Sequence, residues 1–441
     1  MKSKTSLITL ALLAFTPIFL NAQIDFGSAS STVNGGAVTA KLKDWMAIGV
    51  NPANLGWDEN HKFSISILNL GMDAQANSLD FPTLFHLSGS LTNSDKQKLE
   101  NCLSTPPGLL VNSEFNWISG SFNINKIGGF AIGISDKVMG RATLSRTAAN
   151  ALLYGINFQA YADSAITMKS ISNELAGSSI AYSHLRELNI DYGRSLLHNE
   201  GYAGRNSFNL YAGVGLKYIW GLSDMETQIT GSQIEGHSSM ANSDLGKSLG
   251  NMTNAPGHGF GVDLGRRATY DKWKFGLSIT DLGFVKWKNN YKVSIDTSIA
   301  QLIANNPNFA TIDYTSVPIS DIVQYGPGPD YTTSLPTKLK IGADFRPVTM
   351  FEFSSDIVFP LNKALGNIPY PYYVLAGEVH GPLGFDVNLG VAASSYGIGI
   401  PLGVFLGPTK IYVGTGDILS ILGLNKSPNN SLVVGVFHFD F

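Results

Sequence analysis

The stretch KLKIGADFR, residues 338–346, sets Leu339, Ile341, Ala343 and Phe345 against Lys338, Lys340, Gly342, Asp344 and Arg346 in strict alternation. A period of two is the mark of a strand with one apolar and one polar face. The same pattern runs outward in both directions. In NSFNLYAGVGLKYIW (206–220), Phe208, Leu210, Val214 and Leu216 oppose Asn209, Gly213, Gly215 and Lys217. KWKFGLSIT (272–280), FEFSSDI (351–357) and LGFDVNLGV (383–391) follow suit, with Lys274, Glu352, Asp356, Asp386 and Asn388 on the polar faces.

Alternation alone fits a soluble sandwich as well as a membrane barrel, so the polar face decides. It carries Gly, Ser, Asn and charges of both signs, and glycine makes up 47 of 441 residues. Only 14% of the chain is charged, against roughly 25% in soluble domains. Small residues mixed with charges suit a crowded lumen, and an apolar outer face suits lipid. In a bilayer every backbone polar group must pair within the protein, which requires a closed sheet. The chain ends on SLVVGVFHFDF (431–441), where Phe437, Phe439 and Phe441 alternate with His438 and Asp440. A last strand that must close on the first explains why this end is patterned to its final residue, and the three phenylalanines are expected to serve as an assembly signal. The expected fold is all-β: a closed antiparallel transmembrane β-barrel of about 14–16 strands, with an N-terminal plug segment and a few short helices. In this reading 206–220 and 223–232 are separate strands, as are 272–281 and 284–294. Pro401 weakens a candidate at 395–403.

Other stretches break the rhythm. Residues 1–22 place Lys2 and Lys4 before an apolar run and read as an export signal cleaved before Gln23. Residues 23–60 lack alternation and read as a hatch or plug, leaving 61–441 as the barrel. Residues 96–103 are expected to be helical with Asn93 or Ser94 as cap, and a second short helix is expected around 144–155. Residues 296–335, rich in Pro, Asn, Ser and Gly, read as a long outer loop.

The composition limits the chemistry. A formal charge of −3 offers no basic field, so nucleic acid is not an expected partner. Cys102 is the single cysteine, which excludes an internal disulfide and any metal site built on paired thiolates. The eight histidines show no metal-ligand spacing, and no serine sits in a nucleophile elbow. No enzyme activity, metal or cofactor is expected. Lys338, Lys340, Asp344, Glu352, Asp356, Glu378, His380 and Asp386 come from successive strands and are expected to face the lumen as a polar band.

NPANLGW (51–57), LTNSDKQKLENCL (91–103), LRELNIDYGR (185–194), GFGVDLG (259–265), FGLSITDLGFVKW (275–287) and the aromatic last strand together resemble a family of Gram-negative outer-membrane barrels of unknown function. That family is itself similar in architecture to the long-chain fatty acid transporter barrels. The resemblance implies an outer-membrane location, with membrane lipid and the barrel-assembly machinery, reached through the C-terminal strand, as partners. It implies that Asn51, Pro52 and Ala53, with Leu55, belong to a hatch, and that a small hydrophobic or amphipathic solute crosses the barrel. The alternative is a non-transporting barrel that docks another outer-membrane or secretion-machine protein.

Overall fold

The computed structural model describes residues 28–57, 60–76, 79, 83, 91–106, 108–154, 175–199, 207–230, 233–240, 255–295, 323–394, 397–407, 411–422 and 429–441. The export-signal reading of 1–22 lies outside them.

Fourteen antiparallel strands close on themselves among these residues. They are β1 (Phe63–Gln75), β2 (Leu109–Ile124), β3 (Gly128–Thr143), β4 (Ser179–Leu197) and β5 (Phe208–Thr230). Then come β6 (Gln233–Met240 and Gly257–Tyr270), β7 (Trp273–Trp287 and Asn290–Ile295) and β8 (Val323–Gly328, Tyr331–Ser334 and Lys338–Val348). β9 (Phe351–Pro360), β10 (Tyr372–His380), β11 (Asp386–Ser394), β12 (Gly397–Gly399 and Leu402–Leu406), β13 (Ile411–Thr415) and β14 (Asn429–Asp440) complete the wall. Each strand pairs with its sequence neighbour, and β14 pairs with β1 from Ser64 opposite Asp440 to Gln75 opposite Asn429. Phe441 extends the seam, with Phe63 and Phe441 exchanging both backbone hydrogen bonds at 3.1 and 2.8 Å. This closure leaves no edge.

Three expectations about strand boundaries are corrected. Residues 206–220 and 223–232 form one strand, β5 (Phe208–Thr230), because Gly221 pairs with Leu185 of β4 and Gly257 of β6, Leu222 is the extra residue of a β-bulge, and pairing resumes at Ser223 opposite His184 and Met240. Residues 272–281 and 284–294 likewise belong to one strand, β7, broken only at 288–289. Residues 323–334 are strand rather than loop, since they pair with the upper part of β7; 296–322 lie outside the described residues. Pro401 interrupts β12 without removing it, as its missing N–H falls between two paired segments.

The burial pattern is inverted relative to a soluble protein. On β5, Leu216 is 58% exposed while neighbouring Lys217 is 2% exposed, and on β6 Phe260 is 60% exposed while Asp263 is fully buried. Apolar side chains face out and charged ones face in, which is stable only with lipid outside. No helix of the described residues is long and apolar enough to cross a membrane.

The short links at 125–127, 271–272 and 349–350 share one end with residue 61 and Phe441. The long links gather at the other. One of them carries α2 (Asn93–Ser104), which follows α1 (Ala29–Val33), and the next carries α3 (Arg146–Tyr154). Thr92, not Asn93 or Ser94, caps α2. Its hydroxyl accepts from the Asp95 N–H at 3.2 Å while the Asp95 carboxylate accepts from the Thr92 N–H at 3.0 Å, a reciprocal pair that needs the acid three residues on. Cys102 on α2 is fully buried against Ala76, Leu79 and Leu99, and burial pushes its thiol up to about 12.

Candidate functional site

Residues 28–57 are folded inside the barrel. Their backbone is close to the wall because the wall is bare there. Gly129, Gly193, Gly213 and Gly265 lie directly opposite one another on β3, β4, β5 and β6, forming a row of four glycines across the inner face. The 3₁₀ turn Pro52–Gly56 sits on this row. A Cβ on Gly213 would overlap the Pro52 carbonyl carbon and the Ala53 nitrogen, and one on Gly265 would overlap the Asn51 side-chain oxygen. Across the lumen, Gly403 and Gly390 receive the backbone of Val33 and Gly35 in the same way. The glycine-rich face is therefore a seat for another backbone, a role glycine fills because it has no side chain.

The turn itself follows from its residues. Pro52 keeps Asn51 extended, so the Asn51 side chain caps the turn by accepting from the Ala53 N–H at 3.1 Å. Its amide donates to the carbonyls of Thr39 (3.1 Å) and Arg266 (3.2 Å), tying the turn to the segment and to β6. Leu55 is buried beside Gly129 and Gly193. Trp57 ends the turn under the Arg267 guanidinium, 3.6 Å from the ring centroid, with the Lys274 ammonium at 4.7 Å.

Polar contacts hold the remainder. Asp356 accepts from the N–H groups of Val38 (2.7 Å) and Thr39 (2.9 Å) and from the Thr39 hydroxyl (2.7 Å). Lys41 donates to Glu378 (2.7 Å) and Asn388 (2.9 Å). Burial alone would lower its pKa, but the carboxylates of Glu378 and Glu352 outweigh that and hold the ammonium above its ordinary value. Lys340 donates to the Gly49 carbonyl at 3.0 Å, and Ser278 to that of Val50 at 2.7 Å. Asp356→Ala would orphan two buried N–H groups at about 1–3 kcal/mol each. The expected result is faster proteolysis and hydrogen exchange across residues 28–57, with the barrel's heat-modifiable mobility unchanged.

The eight charged residues read from the sequence separate into three groups. Asp344, Glu352, Glu378, His380 and Asp386 gather at the short-link mouth, where Lys274 bridges Asp344 (2.9 Å) and Glu352 (2.8 Å) and His380 lies 3.3 Å from both Glu352 and Asp386. Asp356 tethers the inserted segment. Lys338 and Lys340 line a separate cavity higher in the lumen. A second network on the opposite wall went unread: Lys217 lies 3.0 Å from Asp263 and 2.5 Å from Asp281, while Lys137 bonds Glu187 at 3.0 Å. The alternation already placed Lys217 inward. Its partners become visible only when the neighbouring strands are aligned by register.

Among the described residues, cavities lie along the lumen at three levels. The outer one, about 320 Å³, is lined by Met139, Arg141, Leu185, Asp224, Leu335 and Pro336 among others. The middle one, about 110 Å³, shares Met139 and Pro336 with it and adds Val38, Ile48, Val50, Lys338 and Tyr372. The third, about 260 Å³, opens at the short-link mouth among Lys41, Asp44, Trp57, Glu352, His380 and His438. Residues 38–50 contribute to both the middle cavity and the mouth cavity, and so form the partition between them.

A closed barrel with an apolar exterior and a polar lumen filled by its own N-terminal segment is a plugged membrane-spanning β-barrel. Residues 52–416 match DUF5723, described as a family of unknown function, and the chain belongs to that family. No curated protein matches. Among solved structures, the chain is similar to a mutant of the TodX monoaromatic hydrocarbon channel (10% identity, 96% of this chain and 100% of that one, TM-score 0.49). It is also similar to the Ralstonia pickettii toluene transporter TbuX (11%, 95% and 99%, TM-score 0.46). A Pseudomonas aeruginosa FadL homologue matches at 10% identity over 94% of this chain and 96% of its own, with a TM-score of 0.41.

Proposed function

We propose that the protein sits in the outer membrane and lets a small hydrophobic or amphipathic solute pass, with the N-terminal segment as the gate. The observation that carries this reading is the partition. The outer and middle cavities share lining residues, and the middle one is divided from the mouth cavity by residues 38–50. The middle cavity sets Val38, Ile48, Val50 and Tyr372 beside Lys338 and Lys340, a lining that suits a molecule with an apolar body and a polar or anionic end. The segment is held by hydrogen bonds and ion pairs that can be exchanged for water one at a time.

Proteoliposomes holding the full chain test this. Uptake of a short-chain fatty acid should exceed that of protein-free vesicles and should saturate, and Asp356→Ala should raise it. Uptake equal to the protein-free rate in both proteins would end the transport reading.

Phe437, Phe439 and Phe441 are proposed as the signal read during membrane assembly. Removing Phe441 deletes both terminal backbone hydrogen bonds to Phe63 and a ring 6.1 Å from the Phe63 ring. Less folded protein should reach the membrane, measured as the heat-modifiable fraction in membrane extracts. An unchanged fraction would remove the signal role.

A further inference from the structure

The link between β9 and β10, residues 361–371, does not stay over its own strands. Arg141 on β3, nearly opposite in the ring of strands, donates to the Asn367 carbonyl at 3.1 Å, so the link reaches across the lumen as a strap. It is held along its length. Asn362 donates to the Leu335 carbonyl at 2.7 Å, and Asn367 donates to the Thr337 carbonyl at 3.2 Å and the Asn362 side-chain oxygen at 2.7 Å. Ile368 is buried in one cluster with Val358, Val374 and Ala37 of the inserted segment.

The outer and middle cavities meet along this strap. Lys363, Ala364 and Leu365 line the outer cavity and Gly366 lines the middle one, while Met139 and Pro336 line both. Met139, Pro336 and Gly366 converge at one point. A Cβ on Gly366 would overlap the Met139 sulfur and lie 3.3 Å from the Pro336 ring. Gly366 has a φ of +93°, in the left-handed region that favours glycine. Met139 is 6% exposed and packs in one cluster with Leu185, Ile219 and Leu335.

We infer that Met139 is the specificity-determining residue of the passage: its thioether closes a neck against Gly366 and Pro336, and its swing sets the widest solute that reaches the middle cavity. The inference rests on the transport reading above and adds where the solute is sorted. Hydrogen bonds hold the strap, and a ring limits Pro336. Methionine is unbranched, with three rotatable bonds, so it moves without breaking a hydrogen bond. Side chains of methionine, proline and glycine carry no charge and no strong hydrogen-bonding group, so the neck sorts by cross-section. Lys338 and Lys340 meet the solute only afterwards, in the middle cavity. The class admitted is an unbranched amphiphile entering end-on. A cage or fused ring of similar carbon count is retained in the outer cavity of about 320 Å³.

Proteoliposomes holding the full chain would be given octanesulfonate and, separately, camphorsulfonate, permanently charged probes that differ in cross-section. The wild type should pass octanesulfonate faster. Met139→Ala should raise the ratio of camphorsulfonate to octanesulfonate uptake by about tenfold. Gly366→Ala should slow octanesulfonate, and the double variant Met139→Ala with Gly366→Ala should recover it, a compensation that general loosening of the barrel would not produce. If Met139→Ala does not insert, as judged by heat-modifiable mobility, Met139→Val supplies the same comparison. A ratio that stays at the wild-type value in the truncated variant while octanesulfonate still passes overturns the neck and leaves the transport reading standing. Wild-type octanesulfonate uptake no faster than that of protein-free vesicles ends both.

Discussion

Gly213→Val should open the barrel without unfolding it. The new side chain projects from the middle of the four-glycine row into the Pro52 carbonyl and the Ala53 nitrogen. These are backbone atoms, so no rotamer change relieves the contact. Valine favours extended structure, and β5 remains paired on both sides, so the wall itself should form. Overpacking of this kind costs about 1–3 kcal/mol or more, and each 1.4 kcal/mol shifts the seated population about tenfold. The open fraction in planar-bilayer recordings should rise by about that factor, and protease should cut within residues 28–57. Gly407→Val is the control, because a Cβ there meets nothing within 4 Å, although its φ of +72° makes it the more strained backbone position. If Gly213→Val stays closed and protease-resistant, the glycine row is not what seats the segment.

Lys217→Met should produce the largest loss of stability. The ammonium is fully buried between Asp263 and Asp281, and methionine preserves its bulk while removing its charge. Breaking a buried pair by deleting one partner costs about 3–5 kcal/mol, because the other charge stays buried and uncompensated. Lys137, 3.6 Å from Asp281, offsets part of that charge, but no salt bridge to a cation other than Lys217 is found for Asp263 among the described residues. The urea midpoint for unfolding in vesicles should fall sharply. The double variant Lys217→Met with Asp263→Leu should recover much of the loss, since an apolar pair of similar volume often matches a buried ion pair. A double variant no more stable than the single one would mean that Lys217 acts through packing rather than charge.

Much of the wall was legible in the sequence. Alternation identified which side chains of 206–220, 272–280 and 338–346 face inward, because a strand's period of two leaves a single choice once one face meets lipid. Where strands break was less visible. Gly221 and the bulged Leu222 lie between two alternating runs, yet β5 continues through them because pairing with β4 and β6 resumes at Ser223. In the sequence the inner glycines imply only a crowded lumen lined by small residues. Their seating role depends on four of them falling into register on four strands, which strand pairing sets and composition does not show.

Strand length among the described residues varies widely around the wall. β5 has 23 residues, whereas β13 has five. At about 3.3 Å per residue, five residues span roughly 16 Å, short of the ~25 Å apolar belt of outer-membrane barrels. Lipid tails beside β13 are expected to shorten to meet it, which would thin the bilayer on that side. A membrane thinned on one side gives the molecule a preferred azimuth among its neighbours, so these barrels should cluster low flank to low flank and share a single dimple.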